Sequence, residues 1–296
     1  MTVSMRVMSA GDGYAYLLRT VVVGDGNADR LSALTRHYTE KGTPPGTWMG
    51  SGVAEFGRGE LQAGMTVTPE QLQTLLGKGL DPLTGQALGR PYQRYSTVEE
   101  RIAARVAKLD RSLPAEEYDA KVAEITATEI RRGPQTAVAG FDLTFAVPKS
   151  VSALWAVANA GLQEQIAAAH HAAVAEVLDL LEREVAATRV GARGIAQVDV
   201  RGVAATAFDH YDSRANDPHL HTHVVISNKV RTVLDGEWRT LDSRALHNAV
   251  VALSEHYHAV LADRLSGAFG IGWEQRSRGD DRNPSWDIVG VRIGSG

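Results

Sequence analysis

FDHYDSRANDPHLHTHVVISN, Phe208 to Asn228, holds four of the chain's ten histidines. His219, His221 and His223 alternate along a β-branched run, so in a strand all three share one face. His210 closes the preceding apolar run, and Asn216-Asp217-Pro218 between them is turn chemistry. Pairing of the two strands across that loop puts His210 opposite His221, with Cα atoms about 4.5–5.5 Å apart. A lone strand histidine is ordinarily a half-buried polar residue. Three in alternation, with a fourth before a turn, predict imidazoles converging on a metal ion. The chain has no cysteine. That excludes disulfides, iron–sulfur clusters, cysteine nucleophiles and a thiolate-closed structural zinc site. Three neutral ligands leave an ion its charge and open positions, which suits a Lewis acid acting on a phosphate or carbonyl.

Outward from this stretch, strands are expected over 2–8, 137–147, 197–208, 220–230 and 237–241, with two short final strands at 270–274 and 285–289. Helical spacing is expected over 14–23, 31–41, 69–76, 150–160, 163–187 and 245–269, the third opened by Thr68 as cap with Pro69 at the first position. The Pro/Gly-rich run 43–52 reads as loop. Residues 96–132, rich in Ala, Glu, Lys and Arg, read as two solvated helices forming an insertion. The order of elements is α+β: a central, mainly antiparallel sheet flanked by helices.

Hydrophobic residues make up 44% and charged residues 22% of the 296, an ordinary globular balance. A net charge of −4 argues against blanket neutralisation of duplex DNA and leaves any nucleic-acid contact to a local groove. No run approaches the ~20 apolar residues of a membrane span. The N-terminus lacks the pattern of a secretory signal, so a cytoplasmic protein is expected.

Three stretches resemble the relaxase domain of conjugative relaxase–helicases, the MobF class of HUH endonucleases. They are MRVMSAGDGYAYL with TWMGSGVAEFG, GFDLTFAVPKSVSALWAV at Gly140–Val157, and HYDSRANDPHLHTHVVISNKV at His210–Val230. DPLTGQALG and the AHHAAVAEVLDLLE helix extend the match over most of the chain. The resemblance implies a palm-like fold and a strand-specific endonuclease that cuts and rejoins DNA at a plasmid transfer origin through a 5′-phosphotyrosine. It implies His210, His221 and His223 as metal ligands, and leaves His219 outside the set. It also implies Asp142 as the carboxylate that orients a ligand histidine and takes the tyrosine proton, and Tyr14 as nucleophile.

A phenol with a pKa of about 10 needs such help near neutral pH. Where the family shows adjacent tyrosines, this chain has Tyr14-Ala15-Tyr16, with Tyr38 further on. Two helical steps separate Tyr14 and Tyr16 by about 200°, so they do not share one role. Tyr16 and then Tyr38 stand in reserve. Lys149, at a helix start whose free N–H groups favour anions, and Arg201 and Arg214 are candidate DNA-backbone contacts. Trp48, in a Gly-rich loop, suits base stacking or core packing equally.

The cofactor expected is a divalent ion, Mg²⁺ or Mn²⁺, with Zn²⁺, Ni²⁺ or Co²⁺ as substitutes. The partners expected by resemblance are single-stranded transfer-origin DNA, a type IV secretion coupling protein and accessory relaxosome proteins. One relaxase domain over 1–296, with the helical insertion 96–132, is expected. No GxxxxGK[ST] phosphate loop occurs, so the helicase region of the family is expected to be absent from this chain. The alternatives are a metal-dependent phosphodiesterase that activates water, and a non-catalytic DNA-binding replication-initiation module.

Overall fold

The structure, a computed structural model, describes residues 3–19, 44–213, 217–276 and 285–291. The chain divides into two compact units, residues 1–91 with 139–296, and residues 92–138.

The larger unit is built on a five-stranded sheet in the order β1-β3-β7-β6-β2. Its strands are β1 (Val3–Ser9), β2 (Thr47–Met49), β3 (Val138–Ala146), β6 (Ala205–Asp212) and β7 (Pro218–Ser227). β7 pairs antiparallel with β3 and β6, and β6 with β2. Strand alternation sorts the residues of β3 and β7. Phe141, Leu143, Phe145, Val224 and Ile226 fall on one face, all buried. Each contributes roughly 1.5–3 kcal/mol by leaving water. Asp142, Thr144, His221 and His223 fall on the other.

The apolar face is covered by α6 (Ala160–Glu184) and α7 (Ser243–Phe269), where Tyr257 of α7 meets Phe145 edge-on at 5.3 Å. Two-residue alternation in the strands and three- to four-residue spacing in the long helices made these elements readable. So did the N-terminal strand and α2 (Pro69–Leu72), where Thr68 and Gln71 form a capping box. α1 spans Ala15–Arg19. The helix expected over 31–41 lies outside the described residues.

Three expectations are corrected. The run 43–52, read as loop, contains β2. It forms because Gly46 lets the backbone pass against Phe208, where a Cβ would lie 2.4 Å from Cε1. Trp48 then pairs with Thr206. The expected strand 197–208 is two strands, β5 (Ala196–Asp199) and β6, divided at Gly202. Gly202 holds φ +91° against Ser51, a left-handed position that a side chain would fill. Thirdly, the expected strand 220–230 is likewise divided, into β7 and β8 (Lys229–Arg231), which pairs with β9 (Trp238–Thr240). β4 (Ala187–Val190) pairs with β5 in a ribbon the sequence did not announce. β10 (Trp273–Arg276) and β11 (Ser285–Ile288) form a final ribbon.

The smaller unit is a helical pair, α3 (Val98–Val106) and α4 (Ala115–Arg132). Buried Glu129 accepts from Arg101 at 2.7 Å and Arg105 at 2.9 Å. Those bonds hold its carboxyl below the ordinary range. No helix among the described residues is long and apolar enough to cross a membrane.

Candidate active site

His210 faces His221 across the β6–β7 ladder. The ladder slips between His210 and Asp212, an irregularity of the kind that re-aims side chains at strand ends. The three ring centroids are close: 5.1 Å from His210 to His221, 4.8 Å from His210 to His223, and 5.3 Å from His221 to His223. One ligand atom from each of the three falls within 4.8 Å of the others.

Each partner bond fixes a tautomer. His221 Nδ1 lies 2.7 Å from the carbonyl of His219, and His223 Nδ1 lies 2.9 Å from both oxygens of Asp142. Donation from Nδ1–H leaves Nε2 of each ring available to a cation. Burial pushes His210 down to about 4 and His221 down to about 3, assisted by the neighbouring imidazoles. Both rings are therefore neutral near pH 7, the form that ligates. The donor set fits a divalent ion: three neutral nitrogens, held by two paired strands.

Asp142 is buried, 2% exposed, and accepts from two sides. His223 donates on one, and the hydroxyl of Tyr16 donates a short hydrogen bond on the other. The Tyr16 ring stands edge-on to His223 at 5.9 Å between centroids and keeps 37% of its surface exposed. Burial of the phenol, followed by the charge and hydrogen bond of Asp142, raises the Tyr16 pKa far above its ordinary value. Arg6, on β1, opposes that shift.

Tyr14, the first-choice nucleophile of the sequence, is instead 8% exposed, in the tight turn Asp12–Tyr14 beside Gly77. Tyr16, two residues on in α1, is the phenol on the triad side. Tyr38 and Arg214 lie outside the described residues.

The other candidates separate as follows. Trp48 is 0% exposed, set edge-on to Phe56, and donates from Nε1 to Gln71 at 3.2 Å. It is core, and a ring with no exposed surface stacks no base. Lys149 is exposed at the start of α5 (Lys149–Val157). One of the N–H groups expected there for an anion is already engaged, since buried Asp287 accepts from Ser150 N at 3.4 Å, and from Ser150 Oγ at 2.7 Å. Arg201 pairs with Glu55 at 3.5 Å, which also takes Arg231 at 2.7 Å.

Two site neighbours went unread in the sequence. Thr144, with Oγ1 3.2 Å from His223 Nδ1, shares the face of Asp142 two residues on, a signal that was present. Arg6 gave none, because the partner of β1 is not legible locally.

A five-stranded sheet with a histidine triad on β6 and β7, and a tyrosine on the adjoining helix, makes this an α+β protein with a candidate metal centre beside a phenol. Residues 10–294 match the model of the TrwC relaxase family, and the chain belongs to that family.

Two curated relatives are both named multifunctional conjugation protein TraI. The one from Escherichia coli is 34% identical over 168 residues, and the one from Escherichia coli strain K12 is 32% identical over 167. Each match covers 52% of this chain and 9% of the relative, so the chain spans about a tenth of those proteins. Among solved structures, the metal-bound conjugative relaxase TrwC in complex with oriT DNA superposes with a TM-score of 0.62 at 24% identity. That match covers 98% of this chain and 76% of that one. The copper-bound form gives 0.63 at 24%, over 98% and 77%. These structures share the fold.

Proposed function

We propose that this chain nicks and rejoins one DNA strand at a plasmid transfer origin, by transesterification onto Tyr16. One observation carries the choice of residue: the Tyr16 hydroxyl and His223 share the Asp142 carboxylate. Membership of a relaxase family, relatives named for conjugation, and similar structures solved with oriT DNA support the substrate.

Asp142 accepts the phenolic proton as Tyr16 Oη bonds to the scissile phosphorus. The bond from phosphorus to O3′ breaks, O3′ takes up a proton, and the 5′ end stays on Tyr16. One phosphodiester replaces another, so the same residues run the reaction backwards and rejoin the strand.

His210, His221 and His223 are the residues that hold a divalent ion. Bound there, Mg²⁺ or Mn²⁺ supplies positive charge against the charge that grows on the phosphate. Activation of the Tyr16 phenol falls to Asp142, which already accepts its hydrogen bond. Lys149 and Arg214 are proposed as backbone contacts. The coupling protein of a type IV secretion channel and accessory relaxosome proteins are proposed partners, with the cytoplasm of the donor cell as the site of action.

The test is incubation of the chain with Mn²⁺ and a labelled single strand from the transfer origin of the element that encodes it. A label migrating with protein on a denaturing gel, and mapped to Tyr16 by mass spectrometry, is the expected result. Free product at both ends would support a water-activating phosphodiesterase. Binding without cleavage would support a replication-initiation module. An adduct on Tyr14 or Tyr38 would overturn the choice of Tyr16.

A further inference from the structure

Behind the triad, on the opposite face of the same two strands, lies a second set of polar side chains. Asp209 and Thr222 are cross-strand partners, each one residue from a triad histidine. Thr222 donates to Asp209 Oδ1 at 2.5 Å. Its hydroxyl proton is thereby used, so the 2.8 Å contact between His170 Nε2 and Thr222 Oγ1 must be donation from the imidazole. His170 Nδ1 then carries no proton and accepts from Tyr257 Oη at 2.6 Å. Asp209 Oδ2 receives His171 Nε2 at 2.9 Å.

The chain of donors runs one way, from α7 through α6 into the β6–β7 ladder, and ends on a carboxylate. Tyr257, His170 and Thr222 are buried. Burial holds His170 down at about 3, which keeps it neutral as this order requires.

These residues lie on the face of β6 and β7 opposite the triad. Their position is what gives them consequence. The register that sets Asp209 against Thr222 is the register that sets His210 against His221. A slip or twist of β6 relative to β7 breaks the relay and separates the imidazoles together.

We propose that Tyr257, His170, Thr222 and Asp209 form a positioning relay that fixes the β6–β7 register and through it the metal affinity of the triad. The inference rests on the triad holding a metal ion, as proposed above.

The test compares Thr222→Val with Thr206→Val in the full chain. Thr222→Val keeps the shape and removes both bonds of the hydroxyl. Thr206 is also buried, on the same strand pair four residues before His210, and its hydroxyl has no hydrogen-bond partner among the described residues. Mn²⁺ affinity by calorimetry and the ligand-field bands of the Co²⁺-loaded protein are the readouts; the bands report ligand geometry in the folded protein, which a loss of general stability alone leaves unchanged.

Thr222→Val is expected to weaken Mn²⁺ binding about tenfold and to shift the Co²⁺ bands, while Thr206→Val leaves both unchanged. Tyr257→Phe, which keeps the ring against Phe145, is expected to give a smaller loss in the same direction. It carries the test where Thr222→Val does not fold. Parental affinity and spectrum in both Thr222→Val and Tyr257→Phe overturn the relay. Equal losses in Thr222→Val and Thr206→Val overturn it as well. Absence of binding by the unsubstituted protein defeats the metal reading itself, and the relay with it.

Discussion

The two faces of the β6–β7 ladder carry the same kinds of side chain to opposite ends. On the front, Tyr16 and His223 meet at Asp142, and the largely buried triad keeps nitrogens available. On the back, Tyr257, His170, Thr222 and Asp209 consume one another's donors and acceptors in order. A tyrosine, a histidine and an aspartate therefore do not make a reactive site by being adjacent. Reactivity belongs to the set whose hydrogen-bonding and ligating capacity is left over, and strand alternation is what separates the two sets by one residue.

The largest expected effect breaks the comparison at its front tyrosine. Tyr16→Phe should reduce covalent adduct with transfer-origin DNA to the level of a blank, with secondary structure by circular dichroism unchanged. Tyr14→Phe should retain the adduct, because its ring lies in the core beside Gly77 rather than against Asp142. Adduct formation by Tyr16→Phe would remove the front face from the chemistry.

Next comes the carboxylate at its centre. Asp142→Asn keeps the volume but takes away the anion that receives the phenolic proton and fixes the His223 tautomer. A fall in nicking rate of about 10²-fold is expected, the usual scale for loss of a positioned acid or base, with little change in DNA affinity. A parental single-turnover rate would assign the proton elsewhere.

The front face was largely readable in the sequence, and the back face was not. The alternation of His219, His221 and His223 placed them on one face, and the turn at Asn216–Pro218 set His210 against His221, as the ladder does. Strands and long helices were legible because their periodicity runs over many residues.

What failed was short or non-local. β2 is three residues long, inside a Pro/Gly-rich run, and exists because Gly46 passes under Phe208. β4 begins where an Ala-rich helical pattern has just ended, so its start at Ala187 was read as helix. Which of Tyr14 and Tyr16 lies against Asp142 depends on a tight turn preceding a five-residue helix, and on which of its sides meets β3. Neither is encoded in the dipeptide spacing. The fate of Trp48 depended likewise on Gln71 and Phe56 arriving from elsewhere.

The smallest expected effect sharpens the back face. His170 is held at about 3 by burial, against an ordinary 6.5. Below pH 6.5 the unfolded chain binds a proton that the folded chain refuses. The stability this residue contributes is therefore complete above pH 6.5 and is lost as pH falls toward 3. Between pH 7 and pH 5 the loss is about 2 kcal/mol. His171 acts in the opposite sense, since its bond to Asp209 raises its pKa and favours the folded state as pH falls.

The two are separated by comparing the parent with His170→Gln in urea unfolding at pH 7 and pH 5. The variant should lose about 2 kcal/mol less than the parent over that interval, while the His171 contribution stays in both. Identical losses would mean that His170 takes up a proton in the folded protein. The donor order from Tyr257 to Asp209 would then fail at its middle residue, and the back face would hold capacity to spare, as the front does.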